Sequence, residues 1–564
     1  MKKVYPSLAT CCIALLFSLN GFGQNQSTFS TIQSIMKTNC GAAGCHGSGD
    51  AQIFDVDASS SDLYNTLVNV PAVNTAAAEK GNKIVDPGHP YNSFLLRKIG
   101  SNNFDPYIKM DAAEKNGHPS PLQNAEIELI RQWILAGALE FGTAVDYDLL
   151  QDYYTTGGIE FIPIPPAPPQ GKGFQLRMGP IFLAPNAEVE YMKKEFLNNS
   201  EELIVGGLDG YMTSLSHHLL LFKYEVNEAD NYREGARRVP VEGFPFNGGQ
   251  LTGAWQDDGQ MELPYGTAFK WAPNTSLDFD YHITNKGQDE ILPADFYLNV
   301  FYYENSIEPV EMLAELINKT DLFLSQGINH RTDTHIPDRN PANPEETRNI
   351  WLITSHTHKF GTDYDIYLRN PDGSTGEQIY EGFFNSNYTA NQGVYDWEHP
   401  SIRKFEYPLK KFKAKDGLIF ETTWDVTSCT SGFPCSLGGC VCFGLTTDDE
   451  MMLFTYLYTK TDIPSDPNAT AIPEIFAINN FSVYPNPFGE STRVDYAIDK
   501  ASRVKVEVFD VLGKKLNAVT DEQLPAGKYS EEINSGLIGN SSGIYVVTLS
   551  LDGNKLATRK ITKL

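Results

Sequence analysis

Basic residues are in short supply. The chain of 564 residues carries 44 Lys and Arg against 71 Asp and Glu, a net charge of 44 − 71 = −27. So acidic a chain repels nucleic acid and anionic membrane surfaces, and neither is an expected partner. Long apolar runs are also missing. The single candidate, Cys11 to Leu19, follows Lys2 and Lys3 and precedes Gly21, Gly23 and Gln24. It is too short to cross a bilayer and reads as a secretory signal peptide over 1–23, cleaved near Gly23. Cys11 follows Leu8-Ala9-Thr10, faintly like a lipoprotein box, but the apolar run lies after that cysteine instead of before it. There is no long repeat and no low-complexity tract. Cysteine is sparse: of 8, two leave with the signal, and 8 − 2 = 6 enter an oxidising compartment. Apolar residues are not lacking; at 41% they exclude disorder. The length exceeds one core and implies three to five domains.

The pattern changes along the chain. Residues 24–145 look helical: Ile32, Ile35 and Met36 are spaced i, i+3, i+4, as are Ile127, Ile130 and Ile134, with Gly137 a stop. Residues 146–172 include Ile162-Pro163-Ile164-Pro165-Pro166-Ala167-Pro168-Pro169 and read as a stiff linker. From 173 to 460 short strands alternate, as in Leu277, Phe279 and Tyr281 against Asp278, Asp280 and His282. A polar linker over 461–477 leads to a small β-sandwich over 478–564.

Cys40-Gly41-Ala42-Ala43-Gly44-Cys45-His46 places a histidine directly after the second of two thiols. Two thiols can add to haem vinyl groups while the histidine reaches the iron, although the usual spacing is C-x-x-C-H. The alternative is a Cys40–Cys45 disulfide beside a chance histidine. Val85-Asp86-Pro87-Gly88-His89-Pro90, Ser93-Phe94-Leu95-Leu96 and the run Glu126 to Ala138 resemble small bacterial cytochrome c domains. That resemblance covers about 30–142 and implies a small all-α domain with one covalently bound haem c. It implies Cys40, Cys45 and His46 as haem-binding residues and Met110 as the axial thioether, with His118 the other candidate.

Five of the 11 histidines fall in three groups: His217-His218, His282 and His356-Thr357-His358. On an extended strand His356 and His358 face the same way and can share a metal. His217 and His218 diverge unless a bulge or strand end intervenes. These groups, with Gly253-Ala254-Trp255, Leu263-Pro264-Tyr265-Gly266 and Gly444 to Met451, resemble the copper type II monooxygenases, the family of dopamine β-monooxygenase and peptidylglycine α-hydroxylating monooxygenase. The resemblance implies two tandem jelly-roll-like β-sandwiches, 173–305 and 306–460, each with one copper ion. His217, His218 and His282 would hold the electron-transfer copper. His356, His358 and Met451 would hold the oxygen-binding copper, with Met452 the alternative thioether. The family's carboxylate-holding positions correspond to Thr354, Leu453 and Thr455, none of them cationic. A peptidylglycine substrate is therefore not expected, since an unpaired buried carboxylate is costly.

Cys429, Cys435, Cys440 and Cys442 crowd ahead of Met451 and read as two disulfides, with a zinc site the alternative. At the C-terminus, Phe481 to Phe488, Val508 to Lys515, Ala526 to Tyr529, Ser542 to Val547 and the basic end Arg559 to Leu564 resemble type IX secretion sorting domains, small Ig-like sandwiches. The resemblances together imply a multidomain protein reaching the surface or exterior of a Gram-negative bacterium through the periplasm, with the secretion machinery as a partner. They imply an oxidoreductase hydroxylating a C–H bond of a small organic substrate with O2. Electrons would come from an external donor, ascorbate-like or a redox protein, through the fused haem. The alternative is a non-catalytic surface protein for electron transfer or copper binding.

Overall fold

The computed structural model describes residues 27–41, 46–47, 53–100, 122–156, 164–213, 215–224, 234–239, 249–255, 259–287, 291–303, 308–339, 342–383, 397, 400–429, 439–463, 481–484, 486, 488–498, 501–510, 514–525, 527–538, 541–552 and 554–563. Among them, no helix is long and apolar enough to cross a membrane. The chain is mostly β-sheet, with its helices concentrated near the N-terminus.

Those helices are α1 (Thr28–Cys40), α2 (Ser60–Leu67), α3 (Thr75–Glu79), α4 (Phe94–Ile99), α5 (Asn124–Leu135) and α6 (Tyr147–Thr156). α1 starts at Ser27, whose side chain accepts from the Ser30 N–H. It buries Phe29, Ile32, Ile35 and Met36, the spacing read from the sequence. α5 opens with a capping box between Gln123 and Glu126. It is buried on nearly every side, because one face packs on the other helices and another on the β-domain that follows. The sequence placed 146–172 in a linker. Its first part is instead α6, whose Leu150 is buried and whose Tyr154 donates to Glu128. Pro165 and Pro166 are also tied down, accepting from the Gln175 and Asn299 amides at 2.9 Å each.

The first sandwich has two main sheets. One runs β1 (Gly173–Arg177), β12 (Phe296–Tyr303), β4 (Leu203–Met212), β9 (Thr267–Trp271) and β13 (Val310–Glu311), with β8 (Gly259–Glu262) also on β4. The other runs β6 (Gly235–Arg238), β3 (Glu188–Phe196), β10 (Ser276–Thr284), β5 (Ser216–Tyr224) and β7 (Gln250–Trp255). β2 (Ile181–Leu183) pairs with β11 (Leu292–Ala294). β13 pairs in parallel with β9, so this unit reaches past the expected boundary at 305.

The second sandwich sets β14 (Leu313–Asn318), β24 (Leu453–Thr459), β17 (Thr347–His356) and β20 (Ile402–Lys404), with β21 (Lys410–Lys413) on β17, against β16 (Gly327–His335), β22 (Leu418–Val426), β18 (Gly361–Arg369) and β19 (Thr375–Glu381). β15 (Phe323–Leu324) pairs with β23 (Val441–Cys442). The last domain sets β25 (Ser482–Tyr484), β26 (Ser491–Ile498) and β29 (Gly527–Asn534) against β28 (Lys515–Leu524), β27 (Ser502–Asp510), β30 (Gly543–Leu551) and β31 (Asn554–Lys563), with α7 (Ser535–Ile538) between β29 and β30.

Alternation on β10 comes out as read, with Leu277, Phe279 and Tyr281 all in the core. The opposite face is not solvent-facing, however: Asp278, Asp280 and His282 are buried too. Ala314 and Leu316 of β14 cover that side of the sheet, packing on Phe222, Tyr224 and Leu251. Trp351, Leu352 and Leu457 of the second sandwich join the same apolar cluster as the first. Arg237 forks onto Asp278 at 3.0 and 2.7 Å, and Lys194 lies 3.7 Å from Asp278 and over the Tyr224 ring at 4.4 Å, so the buried Asp278 charge is paired.

Candidate metal centre

β10 and β5 pair in register from Ser276↔Tyr224 to His282↔His218. The next pair is Ile283↔Ser216, so His217 is the extra residue of a bulge. A bulge is what two adjacent histidines need if both are to face one side, and the sequence alone does not reveal it. The His218 and His282 rings meet edge to face, centroids 5.0 Å apart. His282 Nε2 lies 2.9 Å from Glu188 Oε1.

The His-x-His sequence is not extended throughout, as the shared face expected of His356 and His358 would need. It ends β17 and enters the turn to β18, where the Gly361 N–H donates to the His358 carbonyl at 2.9 Å. Gly361 is required there, because a Cβ would lie 2.2 Å from Thr357 Oγ1. His356 and His358 stand edge to face at 5.1 Å.

Glu450 ties this turn to the methionine that follows it. Fully buried, it accepts from the N–H groups of His358 at 2.9 Å, Phe360 at 2.7 Å and Met451 at 3.1 Å, and from the Trp424 indole at 3.0 Å. Burial pushes its pKa up to about 7, against the four donors, which favour the charged form. Met451 and Met452 part company here. Met452 belongs to the core of the second sandwich, whereas Met451 is buried outside that cluster.

The two histidine sets adjoin. His218 and His356, from different sandwiches, have centroids 5.1 Å apart. The rings thus form a row, His282–His218–His356–His358, across the domain junction. Glu188 spans the same junction, accepting from the Thr447 N–H at 2.8 Å and hydroxyl at 2.9 Å while it contacts His282. Burial raises the Glu188 pKa, but the His282 ring and the Thr447 donors outweigh it and leave it below the usual carboxylate value. Burial first, then the charges of His358 and His282, hold the His356 pKa well below normal. The imidazole is therefore neutral, the form that binds a metal. Beside the row, burial raises the pKa of Asp280 to about 6 and that of Glu190 well above normal. Glu188, Glu190 and Glu450 had no role in the sequence reading. Glu450 had a signal, its place directly before Met451; Glu188 had none.

Thr354, Thr455 and Leu453 lie on this same patch: Thr354 pairs with Thr455 and His356 with Leu453. Both hydroxyls donate to main-chain carbonyls, of Ser401 and Glu315, at 3.0 Å. Cys429 and Cys440 form a disulfide, and Cys442 is disulfide-bonded as well. Cys435 lies outside the described residues, as do Cys45, Met110 and His118, and the side chain of His217 is not described. Elsewhere, Asp363, Asp365 and Glu381 bring carboxylate oxygens within 4.8 Å of one another in a partly exposed cluster.

A cavity lies among the N-terminal helices. Its empty space, counting open solvent at the mouth, is about 690 Å³, and it is lined mainly by apolar side chains such as Met36, Phe54, Leu95 and Ile130. Cys40 and His46 face into it, and Lys98 is the one Lys or Arg among its described lining residues. The His46 ring stacks on Phe54 at 4.1 Å, and its Nδ1 lies 3.4 Å from the Phe54 carbonyl oxygen. The helical segment is docked on the first sandwich. Arg131 and Gln132 donate to the Pro180 carbonyl at 3.3 and 3.2 Å, and Arg238 to that of Ala136 at 3.0 Å.

The C-terminal sandwich has its own core, built from Val504, Val506, Val508, Val547 and Ile561 among others. Residues 482–563 match the family described as secretion system C-terminal sorting domain. The last domain is a type IX secretion sorting domain. The protein is accordingly secreted or displayed at the surface of a Gram-negative bacterium, and the secretion machinery is a partner. The sorting domain touches the first sandwich through Arg559, 3.7 Å from Asp209 and 3.4 Å from the Tyr211 hydroxyl. No curated protein matches the chain. Among solved structures, Parabacteroides merdae β-glucuronidase is 13% identical over 43% of this chain and 29% of that one, with a TM-score of 0.15. Bacteroides uniformis β-glucuronidase 3 is 13% identical over 43% of this chain and 28% of that one, with a TM-score of 0.14. The exported protein XepA is 9% identical over 50% of this chain and 86% of that one, with a TM-score of 0.12. The chain thus spans less than a third of either glucuronidase, and at these scores the likenesses carry no argument.

Proposed function

We propose that the chain is an exported copper-dependent monooxygenase, hydroxylating a C–H bond of a small, uncharged organic substrate with O2. A c-type haem held by Cys40 and His46 in the N-terminal helical domain would supply one-electron transfer from an external donor. The observation that carries the reading is the row of four imidazoles, three of them buried, ending beside a methionine fastened to it through Glu450. The donor set fits copper: neutral imidazoles accept both oxidation states, and a thioether favours the reduced one. His217, His218 and His282 would hold one ion, and His356, His358 and Met451 the other. Bound copper would supply one-electron transfer and oxygen activation.

The chain does the positioning. Burial keeps His356 neutral. Glu450 holds the His358 turn and Met451 in one arrangement, and Glu188 orients the His282 ring. Thr354, Leu453 and Thr455 give the second site a wall without cations, which suits an uncharged substrate. In the helical domain the apolar cavity is where a haem would sit. His46, whose Nδ1 lies 3.4 Å from the Phe54 carbonyl oxygen, and Cys40 both line it and would be the residues that hold the haem.

Copper analysis, a pyridine haemochrome spectrum of denatured protein and an oxygen-uptake screen test the reading. Two coppers, one retained haem and substrate-dependent uptake are expected. Copper and haem without substrate-dependent uptake would leave a non-catalytic electron-transfer protein.

A further inference from the structure

We infer that the outer face of the first sandwich is a docking surface for the chain's own sorting domain, latched by Arg559, so that this domain is carried in one fixed pose and not on a free tether. The inference is independent of the copper and haem readings. The seat lies on β4. Leu208 and Met212 point into the shared core, so Asp209 and Tyr211, which alternate with them, point out of the sheet. The outward face of an antiparallel sheet is commonly wet, yet Asp209 is 2% exposed and Tyr211 6%. The Tyr211 hydroxyl donates to Asp209 at 2.6 Å. Arg559 of β31 lies against both. Its guanidinium is 3.7 Å from Asp209, donates to the Tyr211 hydroxyl at 3.4 Å and stands 5.7 Å from the centroid of the Tyr211 ring. A buried carboxylate calls for a cation, and here another domain brings one whose flat, forked head also suits a ring face.

The latch is braced from its own side. The Arg559 side chain is 12% exposed, and its guanidinium lies 6.0 Å over the ring of Phe481, a residue of the sorting domain's core. β31 is fastened to the start of the domain: the Thr562 N–H donates to Asn486 at 2.7 Å, and the Phe488 N–H to the Thr562 carbonyl at 2.9 Å. Phe481 opens the domain, so the latch sits where the chain enters it. Ile463, on the other side of the connection, is buried in the apolar cluster that includes the first sandwich. Only 481 − 463 − 1 = 17 residues join the two. So short a connection keeps the effective concentration of the domain on the order of millimolar, and a single well-made contact then holds the pose.

Hydroxyl-radical footprinting of the full chain, read by mass spectrometry, tests this, with small-angle X-ray scattering alongside. In the wild type Tyr211 should be protected. Arg559→Met and Asp209→Asn break the latch from its two sides. Each should lower the ratio of docked to undocked chain by at least about thirtyfold, the effect of truncating one member of a buried charge pair. Tyr211 oxidation and the radius of gyration should both rise. Far-UV circular dichroism checks that each variant folds. Asp209→Asn leaves the sorting domain untouched and decides if Arg559→Met fails to fold. Tyr211 as readily oxidised in the wild type as in the variants would overturn the inference. So would folded variants that keep both the protection of Tyr211 and the wild-type radius of gyration.

Discussion

Glu450→Gln isolates the tie between the histidine turn and Met451. The change keeps shape and volume but replaces one carboxylate oxygen with an NH2. In the wild type Oε2 accepts from His358, Met451 and Trp424, and Oε1 from Phe360. The better placement of the glutamine keeps its carbonyl where three donors converge. Its NH2 then faces the Phe360 N–H, a donor against a donor in a buried site. A lost bond to a charged group is worth roughly 1.5–3 kcal/mol, and a stranded N–H costs about 1–3 kcal/mol more. The total, about 2.5–6 kcal/mol, falls on the second sandwich. With a urea slope of about 2 kcal/mol/M, the midpoint should drop by roughly 1.2–3 M. Unfolding followed by tryptophan fluorescence suits the test, because Trp424 is one of the donors. Trp424→Phe removes a single donor and should cost less than Glu450→Gln in its hydrogen-bond share, about 1.5–3 kcal/mol. A Glu450→Gln protein within about 0.5 kcal/mol of wild type would refute the reasoning.

Three further outcomes are expected. Met452→Ala should destabilise by about 2–5 kcal/mol because it empties a core position, whereas Met451→Ile should leave the unfolding midpoint nearly unchanged and lower copper retention; the reverse pattern would exchange their roles. Arg131→Met should loosen the helical domain, because Glu128, which pairs with Arg131 at 2.5 Å, stays buried; a loss of about 3–5 kcal/mol, read as earlier proteolysis near α6, is expected. Burial first, then the charges of Asp365 and Asp363, raises the Glu381 pKa to about 8. A raised acid contributes stability at pH below its unfolded pKa of about 4.3, and that contribution is lost as pH climbs toward 8. Glu381→Gln should flatten the fall in stability over that window, and an unchanged pH profile would count against it.

What the sequence disclosed followed local period and local grouping. The i, i+3, i+4 spacing in α1 and α5, the alternation on β10 and the sorting domain all depend on neighbours along the chain. The histidine groups were visible because such clusters are rare. Hidden features depended on long-range packing. The bulge at His217 exists only relative to β10. The polar face of β10 is buried on the side of the sheet where β14, from another domain, packs on β5 and β7. The sequence divided six ligands into two sites, but the contact between His218 and His356 arises from how two sandwiches dock, which no spacing encodes. α6 was concealed by the proline-rich run after it, which drew the whole of 146–172 into one linker.

Oxygen uptake with 18O2 by the copper- and haem-loaded full chain, across a panel of small uncharged organic compounds, is the most direct test of the central claim. At least one compound should drive uptake and acquire a single 18O atom in a new hydroxyl group, and His356→Ala should abolish both. Uptake no greater than that of His356→Ala for every compound, in protein with both coppers bound and its haem reduced, would contradict the account.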